Sequence, residues 1–172
     1  MKEIENRVFK NVPSKRIKYR NFQGKAGQYN NEGERYFCLV IDEDDAKDML
    51  AEGWNVKLAQ PKRDGDEPFY YIQVKVEYTK GRPPKIVQKT KKGSTIIGED
   101  SVQNLDWAEI DFAHISIRPY QWSMPNGTHG IKAYLKTMHV YLEEDEFDDG
   151  DDYYDVPESS KDIVDEAPWD DD

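Results

Sequence analysis

Acidic side chains crowd one end of this chain: residues 143–172 carry 16 Asp and Glu against a single base, Lys161. The chain as a whole has 24 Lys and Arg and 35 Asp and Glu, so residues 1–142 keep 23 of the bases and 19 of the acids. A net charge of −11 spread evenly would repel phosphate and argue against a nucleic-acid ligand. Segregated like this, it joins a basic body to an acidic arm, a pattern that points toward nucleic-acid systems. Beyond Leu142 only scattered apolar residues, Gly150, Pro157 and Pro168 interrupt the charge. So little apolar surface cannot offset the entropy of ordering. The pattern predicts a folded domain over 1–142 and a disordered acidic tail over 143–172.

The body reads as mainly β. Alternation predicts a first strand over 17–22, a strand over 35–42, extended chain over 55–59 and a half-buried strand over 70–78. In the last of these Ile72, Val74 and Val76 share one face, and Gln73, Lys75 and Glu77 the other. Short strands over 85–90 and 95–97 flank Lys91-Lys92-Gly93. A strand over 111–122 turns Ile115 and Ile117 inward, and Pro125-Asn126-Gly127 marks a tight turn with positive φ at its two central residues. A long strand over 130–142 closes the body. Between the second and third strands the period changes: acids fill the first turn of 43–52, Ala46, Met49 and Leu50 share a face, and Gly53 follows. That predicts a helix of about three turns. Seven or eight short strands with one helix indicate an OB-type β-barrel with an elaborated edge. The glycine- and asparagine-rich stretch 24–33 reads as a loop carrying Tyr29.

The residues suited to a ligand are cations interleaved with rings. Arg16, Lys18, Arg20 and Phe22 alternate onto one face of the first strand, with Lys25 beyond. Binding a single strand without reading its sequence needs that mixture, because cations follow phosphates and rings stack on bases. An exposed face with lysines that blunt a sheet edge is the competing reading. Arg118, Tyr120 and Trp122 share a face of one late strand; Lys132, Tyr134 and Lys136 share a face of the next, with Ala133, Leu135 and Thr137 opposite. The Asn126-Gly127 turn would make the two sets contiguous, although Tyr and Trp also serve as ordinary core packing. Arg82, Lys85, Lys89, Lys91 and Lys92 form a basic hairpin candidate, either a clamp or a solvated loop.

Enzymatic signatures are missing from the sequence. His114, His129 and His139 lack zinc-ligand spacing, and no phosphate-binding glycine loop occurs. Asp106, Glu109 and Asp111 around Trp107 read as a turn more simply than as a magnesium cluster. No metal, cofactor or catalytic group is therefore expected. The lone Cys38 sits in the apolar run 36–41 and reads as a small buried hydrophobe; it cannot form an internal disulfide, which fits a reducing cytoplasm. Residues 1–9 hold no apolar run of a targeting signal, and no stretch approaches the roughly 18 apolar residues of a membrane span, so no membrane partner is expected. In the tail, Phe147, Tyr153, Tyr154 and Trp169 punctuate the acids, and Asp170, Asp171 and Asp172 follow Trp169. A ring among carboxylates suits a partner pocket that is apolar with a basic rim. The same acids can compete with phosphate for the basic face.

A basic, ring-bearing barrel with an acidic, apolar-tipped tail resembles the single-stranded DNA-binding proteins of bacteria and tailed phages. Asn21-Phe22-Gln23-Gly24-Lys25, Tyr29-Asn30 and Arg35-Tyr36-Phe37-Cys38 resemble the phage-encoded members. So do Asp106-Trp107-Ala108-Glu109, Ile117-Arg118-Pro119-Tyr120 and the run from Gly130 to Lys136. The resemblance implies an OB fold, sequence-tolerant ssDNA binding in replication or recombination inside a bacterial host, and no catalytic residues. Arg20, Phe22, Lys25, Tyr29, Lys132, Tyr134 and Lys136 are then the expected DNA contacts, and the tail the contact for replication or recombination proteins. The bacterial tails end on an aromatic residue, so the three aspartates after Trp169 are a departure. A homo-oligomer is compatible with the same sequence. Two other classes compete: a DNA mimic that inhibits a DNA-binding protein, which explains the tail but not residues 16–22, and a virion assembly protein whose tail is a spacer.

Overall fold

Period-two apolar residues build most of this protein. A computed structural model describes residues 3–28 and 30–143; Tyr29 and the tail residues Trp169, Asp170, Asp171 and Asp172 lie outside them. The described elements are, in chain order, β1 (Arg7–Pro13), β2 (Ile17–Asn21), β3 (Arg35–Ile41), α1 (Glu43–Glu52) and β4 (Val56–Ala59). There follow β5 (Phe69–Val76), β6 (Lys85–Thr90), β7 (Gly93–Ile97), β8 (Ile110–Ser123) and β9 (His129–Leu142). Short 3-10 turns occupy Ser14–Arg16 and Val102–Asp106. No described helix is long and apolar enough to cross a membrane.

The strands form one sheet with the path β1-β8-β9-β5-β3-β2. Its two end strands, β1 and β2, are consecutive in the chain and separated only by the turn Ser14–Arg16. The sheet must therefore curl until its ends meet, which is the OB-type barrel; no ladder joins β1 to β2 among the described residues, so the seam stays open. β5 and β6 both run parallel to β9, and β7 forms a hairpin with β6. Inside, Phe37 and Leu39 of β3 oppose Val74 and Ile72 of β5, all at most 1% exposed. Met138 and Val140 of β9 oppose Ile115 and Ala113 of β8, all fully buried. Asp42 accepts the Asp45 N–H and starts α1, and the Gly53 N–H closes it on the Met49 and Leu50 carbonyls. Ala46 and Met49 are buried, but Leu50 is half exposed, so the predicted apolar face is narrower than its spacing suggested.

Three departures from strict alternation matter. β1 carries no readable alternation because Asn11 sits at φ 55° and the register with β8 slips between Phe9 and Val12, turning both inward three residues apart. In β9 Lys136 is an extra residue between the pairs Ile117–Leu135 and Ser116–Thr137. That bulge sets Thr137 with Ser116 on the face opposite Met138, where both are nonetheless buried, and so reverses the face expected for Thr137. At the β8–β9 turn only Gly127 has positive φ, 91°, and its N–H reaches Met124 O at 2.9 Å. This is a turn followed by a left-handed glycine, not the two-residue turn with two positive φ values.

Candidate nucleic-acid interface

The expected alternation Arg16, Lys18, Arg20, Phe22 does not survive folding. Arg16 belongs to the 3-10 turn before β2, and its Nε donates to Val40 O at 2.9 Å. Tyr19 adopts φ 53°, and the β2–β3 register slips between Lys18 and Asn21. Lys18 and Asn21 thus face outward, while Arg20 turns away to brace the Val102–Asp106 turn. Its guanidinium donates to Leu105 O (3.2 Å), Ala108 O (2.8 Å) and Ser14 Oγ (2.9 Å). Burial lowers its pKa, against the opposing pull of Asp106. Phe22 is fully buried and stacks on Phe37 at 5.3 Å, so neither face of its ring is left for a base. Asp106 accepts the Phe22 and Gln23 N–H groups at 2.6 and 3.0 Å. That acid fastens a loop, and no described group of three or more His, Cys, Asp or Glu side chains is placed to hold a metal.

The late strands do bring their rings and cations together. Arg118 lies opposite Tyr134, and Tyr120 opposite Lys132. The Tyr120 and Tyr134 rings meet edge to face at 5.6 Å, Tyr120 being 53% exposed. With Lys80 and Arg82 these four side chains line a groove of about 540 Å³, in which Glu77 is the one acid among the described residues. Arg118 Nη2 donates to Arg82 O at 3.0 Å and ties down the groove's loop wall. Burial lowers the Arg118 pKa, helped by Arg82, and burial raises that of Tyr134, helped by Tyr120 and Glu77. Trp122 stands apart, half-buried toward the α1 side, with its Nε1 lacking a hydrogen-bond partner among the described residues. Gly130 is required beneath it, since a Cβ there would come within 2.9 Å of the indole. Lys136, the bulge residue, lines neither groove.

The register extends this cluster across the barrel. Arg118 neighbours Tyr134, Tyr134 neighbours Lys75, Lys75 neighbours Tyr36, and Tyr36 neighbours Asn21. Direct cross-strand partners share a face, so these five side chains form one outward row spanning five strands, about 19 Å at 4.8 Å per strand. Beside the row, Tyr19 (59% exposed) meets Tyr71 at 6.2 Å, Tyr71 meets Phe69 at 6.0 Å, and Lys18 Nζ sits 5.1 Å from the Phe69 ring centre. Lys57 of β4 pairs with Tyr71. A second groove of about 480 Å³ opens between Tyr19, Tyr36 and the loop bearing Lys25, whose side chain is exposed. Sequence reasoning missed Tyr19, Tyr36, Tyr71, Lys75 and Lys57 as site residues. The alternation over 70–78 already put Gln73 and Lys75 outward and could have added Tyr71.

No curated protein sequence is significantly similar to this chain. Among solved structures, the single-stranded DNA-binding protein of bacteriophage Enc34 in complex with ssDNA is similar at 14% identity and a TM-score of 0.53, covering 83% of this chain and 89% of that one. A second structure of the Enc34 single-stranded DNA-binding protein matches at 13% identity and TM-score 0.50, over 91% of this chain and 89% of the other. These likenesses concern the fold. A family model described as “Putative phage ssDNA-binding domain” matches residues 2–172, and the chain belongs to that family.

Proposed function

We propose that this protein coats single-stranded DNA along the outward row Arg118–Tyr134–Lys75–Tyr36–Asn21, without reading base sequence. The observation that carries this reading is the row's composition: cations and tyrosines alternate across four hydrogen-bonded strands, and the neutral Asn21 ends the row on a fifth. Rings exposed on a rigid sheet offer stacking surfaces to any base, and the lysines and arginines beside them take the phosphates. Lys25 and the loop holding it form one wall, and Lys80 and Arg82 the other. In this reading the protein binds and protects the strand. The family, the similarity to a phage protein solved with ssDNA and the acidic tail support a role in phage replication or recombination within the host cytoplasm. In this reading the tail contacts replication or recombination proteins through Trp169 and its flanking aspartates, and competes with phosphate for the row. Several copies would line one strand.

The test is titration with oligo-dT at several salt concentrations, followed by tryptophan fluorescence, with duplex DNA as the control. Neutralising about five phosphates gives a slope of log K against log salt near −3.5. A flat salt response would sink the proposal. No binding to oligo-dT at any salt would hand the chain to the DNA-mimic reading.

A further inference from the structure

The chain leaves the barrel beside a cluster of lysines that the proposed DNA row does not use. β6 runs parallel to β9, with Lys89 opposite Tyr141. Continuing that register sets the β6–β7 turn, with exposed Lys91 and Lys92, alongside Leu142 and Glu143. On the other flank the Glu143 N–H donates to Glu109 O at 2.8 Å, and Glu109 and Asp111 are exposed there. The electrostatics at the exit are therefore lopsided: carboxylates on the β8 side, ammonium groups on the β6 side. The next segment, residues 144–156, carries eight acids and no base, with Phe147, Tyr153 and Tyr154 among them. Beside the lysines the same outer face shows an apolar contact, Ile96 of β7, 46% exposed and opposite Val87. Lys89 is already fixed on this face, its Nζ 4.9 Å from the Tyr141 ring centre and 3.0 Å from the Tyr141 hydroxyl.

We infer that residues 144–156 dock on the outer face of the β6–β7 hairpin, their carboxylates on Lys89, Lys91 and Lys92 and an aromatic side chain on Ile96. The occupant is this chain's own acidic segment because it begins at the hairpin and complements it in charge. Covalent attachment gives it an effective concentration in the millimolar range, so modest contacts suffice. On β9 this surface uses Tyr141, well along the strand from Lys132 and Tyr134 of the DNA row. Docking there has two consequences. It neutralises a second basic face that would otherwise attract nucleic acid, and it leaves only residues 157–172 to reach the row or a partner protein. The inference stands whether or not the row binds DNA.

Zero-length carbodiimide cross-linking of the full chain, mapped by peptide mass spectrometry, tests it. Expected are amide links from Lys89, Lys91 or Lys92 to carboxylates within 144–155. They should vanish in about 1 M salt, where screening acts over some 3 Å, and persist when oligo-dT saturates the protein. Links that favour Lys75, Lys80 or Lys132, or that spread evenly over exposed lysines, would overturn the inference. Loss of the hairpin links on adding oligo-dT would overturn it too, marking the hairpin as a nucleic-acid surface. In the full-chain double variant K91E/K92E the remaining links at Lys89 should fall at least about fivefold with little change in thermal midpoint, because surface charges contribute little to stability. Undiminished links at Lys89 would count against the inference.

Discussion

Tyr120 and Tyr134 hold each other edge to face, so each ring is oriented before any ligand arrives, and less rotamer freedom remains to be lost on binding. Stacking on such a ring is worth about 1–3 kcal/mol per base. Tyr134→Ala is therefore expected to weaken oligo-dT binding by roughly 5- to 150-fold at fixed salt, with the salt slope unchanged. Lys132→Ala should flatten the slope by about 0.7. An unchanged Kd for the first variant would remove the ring from the interface. A different residue sets the acid stability. His139 is fully buried, and its pKa is lowered to about 3 by burial first, then by Lys89, His114 and Lys85. The unfolded chain takes up a proton near pH 6.5 and the folded one does not, so stability is full above pH 6.5 and falls as pH drops toward 3. Between pH 7 and pH 5 this single group should remove about 2 kcal/mol. Urea unfolding of His139→Leu at both pH values should show a smaller loss than the parent by about that amount; equal losses would exclude His139 as the source.

Among the elements, the 3-10 turn Val102–Asp106 is held by two reciprocal contacts with the end of β2: the Arg20 guanidinium on the Leu105 carbonyl and on that of Ala108 just beyond, and Asp106 on the Phe22 and Gln23 amides. Arg20→Ala strands partly buried acceptors, so it should lower unfolding stability by about 1–3 kcal/mol while leaving the salt slope of DNA binding where it was. A flatter slope with normal stability would instead return Arg20 to the DNA. The contrast shows what the sequence could and could not convey. Residues 43–52 and 85–90 were legible to the residue, because a charged first turn before Gly53 and a short β-branched run have few other solutions. The facing of Arg118 and Tyr120 toward Tyr134 and Lys132 was legible too, since a turn at Asn126-Gly127 leaves the hairpin little choice. Residues 16–22 were misread because alternation assumes extended backbone throughout. One left-handed residue, Tyr19, shifts everything after it by one, sending Arg20 to the turn and Phe22 to the core. The same assumption hid β1 behind Asn11 and misplaced Thr137 past the Lys136 bulge. Bulges arise where curvature demands them, and curvature is a property of the whole curled sheet rather than of any short window.

For the whole molecule, charge decides more than shape. The formal charge of −11 hides a body of 23 bases and 19 acids joined to 16 acids on residues 143–172. Ionic screening acts over about 10 Å at 0.1 M salt, so the acids of residues 157–172, which the hairpin does not hold, act on the row only where they approach it closely. In the proposed reading they compete with phosphate at low salt and lose that advantage as salt rises. Deleting residues 143–172 should accordingly tighten oligo-dT binding by about tenfold near 50 mM salt, and the gain should shrink toward nothing near 0.5 M. It should also steepen the salt slope, because the full chain's self-contacts weaken along with its DNA contacts as counterions accumulate. Parallel titrations of the two chains against the same oligonucleotide measure both quantities. Equal affinities at 50 mM would mean that the acidic arm never visits the row, and that its charges act only on the hairpin beside which they emerge and on other proteins.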